Sequence, residues 1–225
     1  MIPIKGGASG KSRLAVPGVR DHAELSRALA LDTIDAVTAA MVSPGAAPIA
    51  GGTEDAGQVD IAGMVVVTGD PVVAEAAAHL EATIVPDPGT GLNAAVSAGI
   101  AAAAAAHPER GVAVLLGDLP ALRPHELLTA LEAGAEHDRA VVPDRQGSGT
   151  VLLTARPGAG LRPAFGAGSA ARHARMATRL DLPLPSLRTD VDDADSLAAA
   201  RFLGLGPRTR ALVCAPSKTR RVSSS

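Results

Sequence analysis

Two rhythms of apolar residues run along this chain. Ala30, Ile34, Val37 and Met41 recur at helical spacing behind Asp21-His-Ala-Glu24, which reads as a capping box, so a long helix is predicted over about 22–42. Short β-favouring runs then alternate with helical stretches. Met64–Thr68 reads as a strand, Pro71–Leu80 as a helix and Ala82–Val85 as a strand. Gly91-Leu-Asn93 opens a helix that runs to about Ala106 and is stopped by His107-Pro108. A strand follows from Val112, and Pro124 and Gly134 stand where a helix should begin and end. Arg139–Asp144 and Thr150–Thr154 flank a Gly/Ser turn, which predicts an antiparallel hairpin grafted on a parallel sheet. Phe165–Ser169 forms a loop before a helix near His173, a last strand reaches Val191, and a helix over about Ser196–Leu203 ends at Gly204. Strands alternating with helices predict an α/β three-layer sandwich with a mostly parallel sheet.

The run Val112-Ala-Val-Leu-Leu-Gly-Asp118 stops abruptly on a carboxylate. A buried strand ending so would deliver Asp118 to the rim of the sheet, where open α/β folds bind their ligands. A second cluster, Thr189-Asp190-Val191-Asp192, has strand alternation, which would point both acids to one side. Two carboxylates about 4 Å apart repel by roughly 4 kcal/mol at an effective dielectric near 20, so Asp118 beside Asp190 or Asp192 implies a cation. All-oxygen ligands point to Mg2+. The alternative is that these acids only decorate a helix N-terminus, the reading favoured for Asp193 and Asp195.

The N-terminal segment Lys5-Gly-Gly-Ala-Ser-Gly-Lys11-Ser12 nearly spells a phosphate-binding P-loop, but Lys5 stands where the first glycine belongs and the preceding strand, Ile2–Lys5, is short. Two readings stay open: Lys5, Lys11 and Arg13 as phosphate ligands on an irregular loop, or as solvated surface charge. None of the six histidines has zinc-ligand spacing, and only His173, after its Gly/Ser loop, is a candidate to touch a ligand.

Composition narrows the classes. A chain of 225 residues with evenly spread apolar runs suits a single domain, expected over 1–212. The Pro/Gly/Ala-rich 43–63 reads as a mobile surface insertion, and 213–225 as a disordered tail. No apolar run approaches the roughly 18 residues of a membrane span, and no export signal is visible, so a cytoplasmic enzyme is expected. A net charge of −2, with no Trp or Tyr, argues against a nucleic-acid partner. The single cysteine, Cys214, cannot form an internal disulfide.

Taken jointly, Lys5 with Lys11-Ser-Arg-Leu14, Leu116-Gly-Asp-Leu-Pro-Ala-Leu122, Val142-Pro-Asp-Arg145 with Gly147-Ser-Gly-Thr150, Phe165-Gly-x-x-Ser169 with Ala171-Arg-His173, and Leu187-Arg-x-Asp-Val-Asp192 resemble the guanylyltransferases of deazaflavin coenzyme (coenzyme F420) biosynthesis. That family couples GTP to phosphoenolpyruvate or 2-phospho-L-lactate. The resemblance implies a Rossmann-like nucleotidyltransferase fold, with Lys5, Lys11 and Arg13 along the triphosphate and Lys5, Lys11 and Asp118 as catalytic groups. It further implies Gly91 and Asn93 near the nucleoside, Asp118, Asp190 and Asp192 on Mg2+, and Thr150, Gly166 and Ser169 around phosphoenolpyruvate. The partners so implied are GTP and a phosphorylated three-carbon acid, and a homodimer is compatible with them. The Phe-Gly-x-x-Ser and Ala-Arg-His pattern favours phosphoenolpyruvate.

Overall fold

A computed structural model describes residues 1–4, 21–42 and 59–214. The strands are β1 (Ile2–Ile4), β2 (Val65–Thr68), β3 (Thr83–Pro86), β4 (Val112–Leu115), β5 (Arg139–Pro143), β6 (Thr150–Ala155) and β7 (Thr178–Arg179). The helices are α1 (His22–Val42), α2 (Pro71–Ala78), α3 (Leu92–Ala106), α4 (Pro124–Ala135), α5 (Ser169–His173), α6 (Pro185–Arg188), α7 (Ala194–Leu203) and α8 (Pro207–Val213).

One three-stranded sheet has the parallel order β1-β2-β3, and a four-stranded sheet the order β4-β6-β5-β7. The two meet at β1 and β4. The Met1 ammonium donates to Ala113 O (2.6 Å) and Leu115 N to Met1 O (3.1 Å), the bonding pattern of parallel neighbours. Burial lowers the pKa of that ammonium to about 5.

Period-two alternation sorts the strand residues onto the two faces. Ile2, Val66, Leu115, Val142 and Leu152 pack in one cluster with residues of α1, α2 and α4. On the other face Val65 and Val67 pack with Ala95 of α3, and Val114, Val141 and Leu153 with Val96 and Phe165. Helices on both faces make the predicted three-layer sandwich.

Two expectations need correction. The hairpin is not an appendage, because β6 pairs antiparallel with both β4 and β5 and so lies inside the sheet. The segment leading to Val191 is not a strand: Pro185 opens the short helix α6, whose first amides, Ser186 N and Leu187 N, both donate to the buried Glu126 carboxylate (2.8 and 3.1 Å). A helix that the sequence reading did not name, α8, follows Gly204 within the expected domain, and there Arg208 N and Thr209 N donate to the buried Asp32 carboxylate (3.0 and 2.8 Å). In both helices the N-terminal cap comes from a side chain far away in sequence, a signal that local pattern cannot carry. Of the expected insertion, 43–58 lie outside the described residues, as do 215–225 of the expected tail.

Candidate active site

β4 ends at Leu115, and the next residues turn over the carboxyl end of the sheet. Gly117 lets β1 approach, since a Cβ there would stand 2.9 Å from Ile4 Cγ1 and 3.2 Å from Pro3 O. Asp118 follows, half-buried. Leu119, completely buried, then anchors the turn, its amide donating to Thr33 Oγ1 of α1 (3.0 Å). The aspartate is thus held at the rim by a rigid turn rather than carried on a free loop.

The second acidic segment is fastened at both ends. Arg188, at the end of α6, gives its guanidinium to the carbonyls of Pro143 (3.1 Å), Asp144 (2.9 Å) and Leu182 (3.1 Å), tying the segment to the end of β5. Val191, with 0% of its surface exposed, donates its amide to Asp118 O (3.1 Å), tying it to the end of β4. Asp190 lies between these anchors. Its carboxyl is pushed up to about 8 by burial first, and then by the negative charges of Asp118, Asp192 and Asp144. Strand alternation is therefore the wrong geometry for this segment, yet the fold does bring Asp118 and Asp192 near enough for their charges to act on Asp190. Asp193 instead caps α7, accepting from Ser196 N (2.8 Å) in a capping box, and these bonds lower its pKa.

Asp144 carries a role that sequence reasoning missed. It is buried at the end of β5, and its two carboxylate oxygens accept from Ser148 N (2.9 Å) and Gly149 N (2.8 Å), closing the β5–β6 turn that presents Thr150. A carboxylate a few residues before a Gly-Ser-Gly turn is the signal that could have found it. Among the described residues no three His, Cys, Asp or Glu side chains are grouped to hold an ion as they stand.

Against the β5–β6 turn lies a polar loop whose parts are bound to one another. Ala170 N donates to Ser148 O (3.1 Å), and Arg172 spans the loop with bonds to Ala164 O (3.0 and 2.8 Å) and Ala167 O (2.6 Å). Gly166 has φ +115°, a left-handed value that disfavours any side chain. Thr150 and Ser169 are buried beside it, and Gly166 is exposed. His173, also buried, places Nδ1 2.9 Å from Thr150 Oγ1 and accepts from Ala164 N at Nε2 (2.9 Å), while its ring meets Phe165 edge-on at 4.9 Å. Burial, and then the neighbouring Arg172 charge, lower its pKa.

Gly91, at φ +110° with open space where a Cβ would stand, starts α3 beside this loop. Asn93 does not simply face outward. Its carboxamide accepts from Phe165 N (2.8 Å) and donates to Phe165 O (3.3 Å), mimicking a strand neighbour. The three N-terminal cations Lys5, Lys11 and Arg13 lie outside the described residues, although β1 leads the chain to this same rim. A cavity of about 570 Å3, lined by Met1, Met64, His107 and Thr154 among others, opens at the amino ends of the parallel strands, the wrong end for a ligand of an open α/β sheet.

Residues 49–187 match the MobA-like NTP transferase domain family, a span that includes Asp118, Thr150, Gly166 and Ser169 and ends just short of Asp190. The chain is 44% identical over 221 residues to the phosphoenolpyruvate guanylyltransferase of Streptomyces scabiei, covering 94% of this chain and 93% of that protein. The chain belongs to the phosphoenolpyruvate guanylyltransferase family. A second member, from Salinispora arenicola, is 45% identical over 220 residues, covering 95% of this chain and 92% of its own. Among solved structures, a nucleotidyl transferase from Methanothermobacter thermautotroptrophicus aligns over 90% of this chain and 96% of its own with a TM-score of 0.57 at 18% identity, a likeness of fold. The sandwich is thus a nucleotidyltransferase fold. Among the described residues no helix is long and apolar enough to cross a membrane.

Proposed function

We propose that this chain transfers the guanylyl group of GTP to phosphoenolpyruvate and releases pyrophosphate, giving enolpyruvyl-diphospho-guanosine, the activated intermediate of the deazaflavin coenzyme route. The family supports the reaction. Within the structure the reading rests most heavily on one bond, Val191 N to Asp118 O, which joins two acidic segments distant in sequence at the rim of the sheet.

The acids fit a divalent cation, Mg2+ in our reading. A cluster that raises the Asp190 carboxyl to about 8 is a site short of positive charge. Asp118, Asp190 and Asp192 would hold the ion, which when bound neutralises the triphosphate and polarises its α-phosphorus.

The remaining chemistry needs few side chains. A phosphate oxygen of phosphoenolpyruvate attacks the α-phosphorus of GTP, a new P–O bond forms, and the bond to the β-phosphate breaks, its electron pair leaving with pyrophosphate. The attacking oxygen is already ionised, so no general base is required and catalysis is positioning plus charge neutralisation. Lys5, Lys11 and Arg13 would lie along the triphosphate, with Gly91 and Asn93 at the nucleoside. Thr150, Gly166 and Ser169 would receive the acid, with the exposed Gly166 backbone open to close approach. The helix α5 has five residues, so its dipole adds little and the loop amides do most of that work.

Incubation of the purified chain with GTP, Mg2+ and phosphoenolpyruvate tests the reading. Pyrophosphate release that requires all three is expected. No release with phosphoenolpyruvate or any other phospho-acid would overturn it, and a clear preference for 2-phospho-L-lactate would overturn the choice of acceptor.

A further inference from the structure

His173 is buried away from solvent, yet both of its ring nitrogens are committed to the pocket that the proposed function assigns to the acceptor. The backbone amide of Ala164 can only donate, so Nε2 must be an unprotonated acceptor. The ring hydrogen is then on Nδ1 and points at Thr150 Oγ1, 2.9 Å away. A hydroxyl that accepts from His173 must turn its own hydrogen elsewhere. One side chain therefore sets the polarity of Thr150 and, at its other end, holds the loop that leads into Phe165 and Gly166.

We propose that His173 is a positioning residue for the acceptor substrate: by donating to Thr150 Oγ1 it makes the Thr150 hydroxyl a hydrogen-bond donor toward the phosphorylated acid. Two further observations fit this role. The neutral, enclosed ring is unsuited to contact a polyanion directly. The bonds of Asn93 to both backbone groups of Phe165 brace the same loop from the α3 side, so the ring acts within a frame that is already fixed. The inference rests on the assignment of Thr150, Gly166 and Ser169 to the acceptor.

Substitutions at position 173 can keep one bond and remove the other. In His173→Asn the amide nitrogen can reach the place of Nδ1 but no atom reaches that of Nε2. In His173→Gln the terminal oxygen can accept at the place of Nε2, and the donor to Thr150 is lost. Steady-state kinetics of the full chain with GTP, Mg2+ and phosphoenolpyruvate, with a melting curve for each variant, separates the cases. Loss of a hydrogen bond to a charged group is expected to raise KM for phosphoenolpyruvate about tenfold in His173→Ala and His173→Gln, with KM for GTP nearly unchanged. His173→Asn should stay close to wild type in KM although its melting temperature falls. Adding His173→Ala to Thr150→Val should raise that KM no further than Thr150→Val alone, because both act through one hydroxyl.

Equal rises in both Michaelis constants, or a His173→Gln enzyme as good as wild type, would overturn the positioning role and leave the guanylyltransferase reading standing. Should His173→Ala not fold, the Asn and Gln variants decide the matter. A wild-type chain that released no pyrophosphate with any phospho-acid would instead remove the functional reading, and this inference with it.

Discussion

The acidic rim around Asp190 and the polar loop around Phe165 are built on opposite principles. In the loop, polar groups find partners within the protein: Arg172 takes up the carbonyls of Ala164 and Ala167, Asn93 both backbone groups of Phe165, and His173 bridges Thr150 to Ala164. At the rim, well-made backbone contacts hold like charges together, and Asp190 reaches about 8 beside Asp118, Asp192 and Asp144. The loop is preorganised. The rim is poised for a ligand that brings positive charge, so the two regions should respond differently to mutation, pH and metal.

Asp118→Asn should have the largest effect. Removing a carboxylate that we propose holds the cation is expected to lower kcat about 100-fold or more, the scale of losing one group that stabilises transition-state charge. The melting temperature of the metal-free protein should not fall, because the change relieves repulsion at Asp190. A large loss of stability would mean that the rim, like the loop, is a self-sufficient piece of structure.

Gly166→Ala probes the preorganised side. Its φ of +115° strains any side chain, at a cost of order 1–3 kcal/mol, so some stability should be lost. The sharper expectation is kinetic: KM for phosphoenolpyruvate rises about tenfold while KM for GTP changes little, since backbone donors can no longer approach the acid as closely. If stability fell with both Michaelis constants unchanged, the loop would be a turn and not a pocket.

The smallest effect is a slope. The Asp190 carboxyl ionises at 3.8 in its ordinary state and near 8 in the folded protein, so the unfolded chain sheds this proton first as pH rises. Stability of the metal-free protein present below the lower value is therefore lost progressively between the two. A decline in melting temperature is expected across that window. Asp190→Asn should flatten the slope, and Mg2+ should raise the melting point more at about pH 8 than at about pH 5. An equally steep slope in Asp190→Asn would assign the effect to another group.

Much of this arrangement is legible in the chain. Apolar alternation and capping signals locate α1 and the strands β2 to β6, because those elements are defined by their own residues. Asp118 can be found because a buried strand stops on it. What escapes are features made by distant partners. α6 and α8 are capped by Glu126 and Asp32. Likewise β6 runs inside the sheet because β4 and β5 both pair with it, which no hairpin signal reveals. The sequence does not reveal that Asn93 also braces Phe165, or that His173 is bonded to Thr150. A side chain next to a glycine-rich loop can serve the ligand or the loop, and only the partner atom tells which.

Cation binding at the rim can be measured without turnover. Mn2+ is titrated calorimetrically into the wild-type chain and into Asp118→Asn, each with GTP and without phosphoenolpyruvate. The wild type is expected to bind one ion in the presence of GTP, and Asp118→Asn to bind it at least about tenfold more weakly, a loss of about 1.4 kcal/mol or more. Equal affinity in the two proteins would contradict the claim that the junction of Asp118 with the Asp190 segment is where this nucleotidyltransferase holds its metal.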